Sequence, residues 1–250
     1  MKPAPAPAIW HVENSAAFFA GPLQRNAPHR HSVPVYLAGL YGTFRLRVGG
    51  DRWQTCRTAM IRAGTEYEFD MAGEVLAVVY LEPNAGGAGA LAPLVGDAHE
   101  VGGALLGASG ETTRLRALYE STSIHDVAAA LDELIAFSKR RALKGVDARI
   151  VRAVEALQSR SAAGRPVAEV AASVGLSASR FQHLFSTGVG VPFRRYRNWH
   201  RLRRAIREVI AGANYTQAAH AAGFTDQAHF AHEFRRTFGA PASRGLAPMR

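Results

Sequence analysis

The chain has 250 residues, of which 48% are hydrophobic, so it is long enough for one or two globular domains with buried cores. A single cysteine excludes an internal disulfide framework and a zinc site made of several cysteines. No apolar run approaches the length of a membrane span, and the opening segment MKPAPAPAIW lacks an apolar signal core, which predicts a flexible leader. These features favour a cytoplasmic protein.

The net charge of +10 is concentrated in the second half of the chain. Residues 1–140 hold 12 Lys and Arg against 14 Asp and Glu, whereas residues 141–250 hold 18 against 6. Nearly all the cations of the second half are arginines, whose planar guanidinium binds phosphate and guanine in a bidentate manner. This asymmetry predicts a polyanionic partner for the second half. The alternative is an arginine-rich composition without such a partner.

Short β patterns fill the first part of the chain. Residues 43–48 alternate apolar and polar side chains, the glycines of residues 49–51 predict a turn, and Val75–Leu81 is a continuous apolar run. Strands of this length and spacing predict a small barrel or sandwich. Residues 84–110 are rich in Gly and Ala and give no clear pattern.

The apolar period becomes helical after residue 123. A helix is predicted over residues 124–140, and we expect it to contribute to a dimer. A second helix is predicted from residue 147, and everything beyond Pro166 reads as helices joined by short turns. The apolar face of the first helix is formed by Ile124, Val127, Leu131, Leu134, Ile135 and Phe137.

Two stretches of the second half repeat one pattern, GLSASRFQHLFSTGVG at residues 175–190 and GFTDQAHFAHEFRRTFG at residues 223–239. In each, a glycine suits a left-handed helix end, a hydroxyl or carboxyl side chain caps the next helix, and two phenylalanines follow at i, i+4. A short helix, a tight turn and a second helix with a polar outer face form the helix-turn-helix unit, whose second helix fits a DNA major groove. An arginine-rich connecting helix is predicted between the units, with Leu202 and Ile206 in the core.

Roughly residues 147–240 resemble the C-terminal domain of the AraC/XylS family of bacterial transcription regulators. The resemblance is carried by VAEVAASVGLSASRFQHLFSTGVGVPFRRYRNWHRLRRA and YTQAAHAAGFTDQAHFAHEFRRTFG. It leaves the family's final short helix unpredicted, because residues 240–245 depart from the usual continuation. By the family's pattern, base contacts fall on Ser179, Gln182, His183, Gln227, Ala228, His229 and His232. Arg180 and Arg236 lie on the same outer faces, and Arg195 and Arg201 of the connector are predicted to contact phosphate.

The segment PHRH at residues 28–31, followed by Gly42, resembles the first motif of the cupin barrel, which many members of this regulator family use as a sensor domain. The cupin metal set needs a glutamate and a third histidine that this part of the sequence lacks, so no metal and no cofactor is predicted. His29, His31, Tyr36 and Tyr67 are instead expected to line a small-molecule effector pocket.

The predicted fold is α+β, with a cupin-like β-barrel at residues 1–110, a helical linker and dimerisation segment at 111–145, and an all-α domain with two helix-turn-helix motifs at 146–250. The predicted function is a sequence-specific DNA-binding transcription regulator, controlled by a small-molecule effector in the barrel and without catalytic residues. Its expected partners are double-stranded DNA, RNA polymerase and a second copy of the chain. The alternatives are a cupin-type metalloenzyme with a basic helical appendage and a protein whose helices bind another protein. Both leave the polar helix faces and the basic second half unexplained.

Overall fold

The computed structural model describes residues 7–13, 15–121, 124–139, 146–158 and 165–246. The described residues up to 139 form a sheet domain, and those from 146 onward form a helical domain. The predicted α+β class is confirmed. Residues 1–6 of the predicted leader MKPAPAPAIW lie outside the described residues, and its last two, Ile9 and Trp10, are buried in the first strand, so the leader is shorter than predicted.

The strands of the sheet domain pair only in antiparallel fashion. One sheet has the order β1-β2-β8-β3-β6-β10-β9 and the other the order β5-β4-β7. The strands are β1 Ile9–Val12, β2 Ala16–Pro22, β3 Val35–Gly39, β4 Phe44–Val48, β5 Gln54–Cys56, β6 Thr58–Ile61, β7 Tyr67–Asp70, β8 Val75–Leu81, β9 Val95–Val101 and β10 Ala104–Gly110.

As far as the described strands go, the β domain predicted as a cupin-like barrel consists of two packed antiparallel sheets that no continuous ladder joins. An isolated bridge between His29 and Tyr67 connects the segment before β3 to the small sheet. A single bridge does not continue the ladder of hydrogen bonds that would be needed to close the two sheets into a barrel. The small sheet packs face to face against the core through one apolar side. Alternate residues of β4 point to that side, namely Phe44, Leu46 and Val48.

The central strands of the large sheet, β8, β3 and β6, are buried on both faces, which explains the continuous apolar sequence of β8. Successive side chains point to opposite faces, so Val78 and Tyr80 join the core shared with the small sheet and the helical domain, whereas Val79 and Leu81 join a second core. The second core is covered by α1 Gly87–Leu91, α2 Thr113–Glu120 and α3 Ile124–Lys139, with 3-10 turns at Pro83–Ala85 and Ala92–Leu94.

The apolar face of α3 packs into this second core. Leu131 and Leu134 are each 1% exposed within their own chain. These two side chains are therefore not available for a dimer contact, and a contribution of the helix to a dimer through another face stays a prediction. Ile124 and Phe137, predicted on the same face, lie outside the described side chains.

The helical domain consists of short helices around one long connector. They are α4 Ala148–Leu157, α5 Val167–Ser173, α6 Ala178–Val189, α7 Phe193–Ile210, α8 Tyr215–Ala221, α9 Gln227–Phe238 and α10 Ala242–Gly245. The four-residue α10 is present although residues 240–245 depart from the family's usual continuation and left it unpredicted. In the described part of the chain, no helix combines the length and the apolar character that crossing a membrane requires.

Candidate functional site

The first candidate recognition helix is α6. Gly175 ends the preceding turn with a left-handed φ of 73°, and the Ser177 hydroxyl caps α6 by accepting a hydrogen bond from the Arg180 amide at 3.3 Å. Phe181 and Phe185 are fully buried on the inner side. The outer side is solvent-exposed and carries four predicted contacts, Ser179, Arg180, Gln182 and His183.

The second candidate recognition helix, α9, is built in the same way. The Asp226 carboxylate caps it by accepting a hydrogen bond from the His229 amide at 2.7 Å, and Phe230 and Phe234 are buried. The imidazole of His229 is only half-exposed, because its ring packs edge-on against Phe224 at 5.3 Å. The predicted contacts that are exposed on α9 are Gln227, Ala228, His232 and Arg236.

Two of the exposed side chains of α9 are held by hydrogen bonds within the protein itself. Oε1 of Gln227 accepts a hydrogen bond from the Thr216 hydroxyl at 2.9 Å, and Arg236 donates to the Glu233 carboxylate at 3.3 Å. Such contacts lower the entropy cost of fixing these side chains against a groove.

Arg201 of α7 has contacts within the protein. Its guanidinium donates to the carbonyls of Ala222 and Gly223 at the end of α8, and it lies 4.3 Å from the centre of the Phe224 ring. These contacts stabilise the turn of the second helix-turn-helix unit, and the phosphate contact of Arg201 stays a prediction. Arg195 is half-buried, and burial is the main cause of its lowered pKa, followed by repulsion from Arg236.

The opposite side of α7 is attached to the sheet domain through the buried carboxylate of Glu82. This carboxylate accepts hydrogen bonds from the Tyr196 hydroxyl at 2.5 Å, the Trp199 indole nitrogen at 2.7 Å and the Arg203 guanidinium at 2.5 Å. The side chains of Glu82 and Arg203 are 1% and 4% exposed. Arg203 also donates to the carbonyl of Glu13. Arg203 therefore belongs to the junction between the domains and does not contribute to an exposed basic surface.

A small aromatic cavity lies where the sheet domain meets α9 and α10. Its volume of about 50 Å³ is room for a few water molecules. The Trp10 indole nitrogen donates to the Gly245 carbonyl at 2.8 Å across this junction. The lining residues that matter here are Trp10, Asn26, His29, His31, Tyr67, Tyr80, Phe234 and Phe238, with Arg25 and Arg244 also contributing.

The two histidines of the cavity wall are held neutral. Burial lowers the pKa of His29 to about 4, and burial together with the neighbouring His29 lowers the pKa of His31 well below 6.5. Burial also raises the pKa of the Tyr67 phenol. The walls therefore combine aromatic surface with uncharged hydrogen-bonding groups, which suits binding of an organic molecule. Among the described residues, no three His, Cys, Asp or Glu side chains form a group that could hold a metal ion.

Tyr36 does not line this cavity. It points from β3 into the second core, on the opposite face of the large sheet, where its hydroxyl donates to the carbonyls of Leu94 and Glu111. The one-residue alternation along β3 decides this, since Val35 and Leu37 face the first core. The prediction of Tyr36 as a pocket residue is therefore corrected.

Residues 170–246 match the family model of a helix-turn-helix domain, a range that contains both candidate recognition helices. The C-terminal domain is an AraC-type helix-turn-helix domain. No curated protein matches the chain in sequence.

The fold of the whole chain is similar to that of ToxT from Vibrio cholerae. An apo variant of ToxT superimposes with a TM-score of 0.63 at 14% sequence identity, over 93% of this chain and 97% of ToxT. ToxT with a bound unsaturated fatty acid gives 0.60 at 15% identity, over 94% and 96% of the two chains. ToxT bound to (E)-4-(8-methylnaphthalen-1-yl)but-3-enoic acid gives 0.60 at 13% identity, over 93% and 98%. At these identities the likeness establishes a shared fold.

The residues that attach the AraC-type domain to the sheet domain were missed in the sequence. One signal was present, because Tyr196, Trp199, Arg203 and Ile206 fall at helical spacing on one face of α7 and three of the four are apolar or aromatic. An arginine within an apolar stripe indicates a buried partner, since a buried charge needs one. Nothing in the sequence pointed to Glu82 as that partner.

Proposed function

We propose that this chain is a sequence-specific DNA-binding transcription regulator that responds to a small-molecule effector. The observation that carries this proposal is the matched construction of α6 and α9. Each buries a pair of phenylalanines and exposes a polar face on the far side, within an AraC-type domain. Two such helices on one connector can enter successive major-groove segments about 34 Å apart on one face of DNA.

The side chains divide by chemistry into base contacts and phosphate contacts. Gln182 and Gln227 can pair with adenine in the bidentate manner, and the methyl group of Ala228 can contact thymine. Arg180, at the start of α6, is proposed to contact phosphate together with Arg201 of the connector. The remaining proposed contacts are Ser179, His183, His229, His232, Arg195 and Arg236.

The proposed effector site is the aromatic cavity between the domains. Aromatic walls and the guanidinium groups of Arg25 and Arg244 suit a compact apolar molecule with a carboxylate. Both ligands named for the ToxT structures are carboxylic acids with an apolar body. Nδ1 of His31 has no hydrogen-bond partner among the described residues, so it is a further group that a ligand can satisfy.

Effector binding and DNA binding are expected to be linked. A cavity of about 50 Å³ is too small for such an acid, so a ligand must displace the walls contributed by Phe234 and Phe238 of α9. Because α9 carries the second reading face, a ligand that prefers one placement of α9 changes DNA affinity, and DNA changes ligand affinity by the same factor.

The wider organisation is part of the proposal. We propose a sensor domain at residues 1–110, a linker at 111–145 and a DNA-binding domain at 146–250, acting in the bacterial cytoplasm on a promoter with RNA polymerase. A homodimer would use a surface other than the buried face of α3, such as its outer side near Asp132 and Glu133. No catalytic group is assigned.

The experiment that tests DNA recognition compares two substitutions in the full chain. A DNA site is first selected from a random library with the unmodified protein. Gln227→Ala is expected to cost about 1–3 kcal/mol of binding free energy, restricted to particular base positions. Arg180→Ala is expected to weaken binding to every sequence and to reduce the salt slope by about 1. Identical behaviour of both variants on all sequences would contradict the assigned roles.

A further inference from the structure

Both recognition helices of the AraC-type domain end at a glycine that touches the sheet domain. Gly190 terminates α6 with a φ of 90°, and Gly239 terminates α9 with a φ of 69°. These glycines occupy equivalent positions of the sequence repeat. Their left-handed conformation explains a glycine, but it does not explain why each lies directly against the other domain.

At the end of α9, the contact leaves no room for a side chain. The amide of Ala27 donates to the Gly239 carbonyl at 2.9 Å, and Asn26 donates to the carbonyl of Phe238 at 3.4 Å. A Cβ added at Gly239 would lie 2.3 Å from the Ala27 carbonyl oxygen and 2.9 Å from Nδ1 of His29. Backbone therefore meets backbone at this point.

At the end of α6, the turn between β6 and β7 makes the equivalent contact. A Cβ added at Gly64 would lie 2.8 Å from the Gly190 carbonyl oxygen, and one added at Gly190 would lie 3.1 Å from the Ala63 carbonyl oxygen. The amide of Gly64 donates to the carbonyl of His31 at 2.9 Å. The two contact points thus belong to one connected piece of the sheet domain, joined through residues 26–32.

We propose that these two contacts, Ala27 on Gly239 and Ala63–Gly64 on Gly190, form a two-point clamp that sets the separation of the recognition helices and thereby the half-site spacing that the chain accepts on DNA. The proposal rests on the proposed DNA-binding function. The clamp does not cover the reading faces, because Gln182 and Gln227 are exposed in the structure that contains both contacts. It acts on the distance between the two recognition helices.

The connector does not set this separation by itself. Its first turn is also held by the sheet domain, since the Ser32 hydroxyl donates to the Arg195 carbonyl at 3.1 Å. His29 and His31 line the aromatic cavity and belong to the segment that joins the two clamp points. An occupant of the cavity therefore acts on both recognition helices at once, and the effector changes spacing preference rather than covering the reading faces.

The test selects DNA with the full chain from a library in which two half-elements are separated by a variable number of base pairs. Gly239→Ala and Gly64→Ala open the clamp from its two sides. Gly212→Ala and Gly50→Ala are the matched controls. They carry the same left-handed strain, at φ of 95° and 80°, but an added Cβ meets nothing within 4 Å.

The unmodified protein and both controls are expected to enrich one separation, whereas the two clamp variants lose this preference and enrich several. If circular dichroism shows that a clamp variant has not folded, Ser32→Ala, which removes one hydrogen bond, is expected to broaden the selected separations in the same direction. One unchanged separation in every folded variant would overturn the clamp while leaving DNA binding intact. No enrichment of any sequence by the unmodified protein would overturn the proposed function, and the clamp with it.

Discussion

Removing the carboxylate of Glu82 is expected to destabilise the protein far more than removing a surface carboxylate. Glu82→Ala removes the acceptor that three buried donors of α7 share, among them the guanidinium of Arg203, whose side chain is 4% exposed. Breaking a buried pair by removing one partner costs about 3–5 kcal/mol, because an uncompensated charge stays buried. The matched control is Glu100→Ala. Glu100 pairs with Arg62 at 3.3 Å, the two side chains are 58% and 54% exposed, and such pairs contribute at most about 1 kcal/mol.

A double-mutant cycle separates the pair from its surroundings. The single variants of the cycle are Glu82→Leu and Arg203→Met. The double variant removes both charges and replaces them with apolar groups of similar size, so it should be more stable than Glu82→Leu alone, in which the charge of Arg203 stays buried. The free energy of unfolding is measured by urea denaturation, followed by tryptophan fluorescence and circular dichroism. Because Glu82 joins the two domains, its loss should also separate their unfolding into two transitions.

The reasoning is refuted if Glu82→Ala costs no more than Glu100→Ala. It is also refuted if the costs of the two single substitutions simply add in the double variant, because additive costs mean that the two groups do not interact. Either result would mean that α7 is held to the sheet domain by apolar contact alone.

Arg201→Ala should lower the free energy of unfolding of the helical domain by about 1–2 kcal/mol. The substitution removes the guanidinium that donates to the carbonyls at the end of α8 and lies over the ring of Phe224. Reduced DNA affinity at unchanged thermal stability would indicate a phosphate role alone. Stability should also fall on acidification, since burial lowers the pKa of His29 and His200 to about 4 and depresses that of His31. The unfolded chain takes up protons near pH 6.5, so stability is complete above that pH and declines as the pH falls towards 4, by about 3 kcal/mol each for His29 and His200, with a further loss in the same direction from His31. Urea midpoints that stay constant between pH 7 and pH 5 would show that these histidines are not held neutral.

The sequence predicted the helix-turn-helix units well, because their determinants are local. Gly175 and Gly223 were predicted to adopt left-handed turns and do so, and Ser177 and Asp226 were among the predicted caps and are the caps observed. A cap acts on amides within one turn, and phenylalanines at i, i+4 fix which side of a short helix is buried. The exposed faces of α6 and α9 follow from that spacing.

The sheet domain was predicted less completely, because strand pairing is not local. The β patterns located several strands, but the alternation of side chains did not show which strands pair. It did not predict that β7 pairs with β4, or that β7 contacts the segment before β3 through a single bridge. Tyr36 was assigned to the pocket by its neighbourhood in sequence, although the strand alternation sends it to the opposite face. The apolar face of α3 was predicted from its period, but its period did not show that Leu131 and Leu134 pack against the sheet of their own chain.

The sequence by itself determined the positions of the tight turns, the helix caps and the two repeated helix-turn-helix units. Each of these features depends on residues within a few positions of one another. Only the tertiary structure decided what each helix is attached to. Glu82 meets Arg203 across 121 residues of sequence, and Trp10 meets Gly245 across 235. Periodicity assigns a residue to a buried face but does not name what covers it. These partners lie next to each other only in the folded protein, where residues distant in sequence are brought together. The same fold places the aromatic cavity beside the second recognition helix.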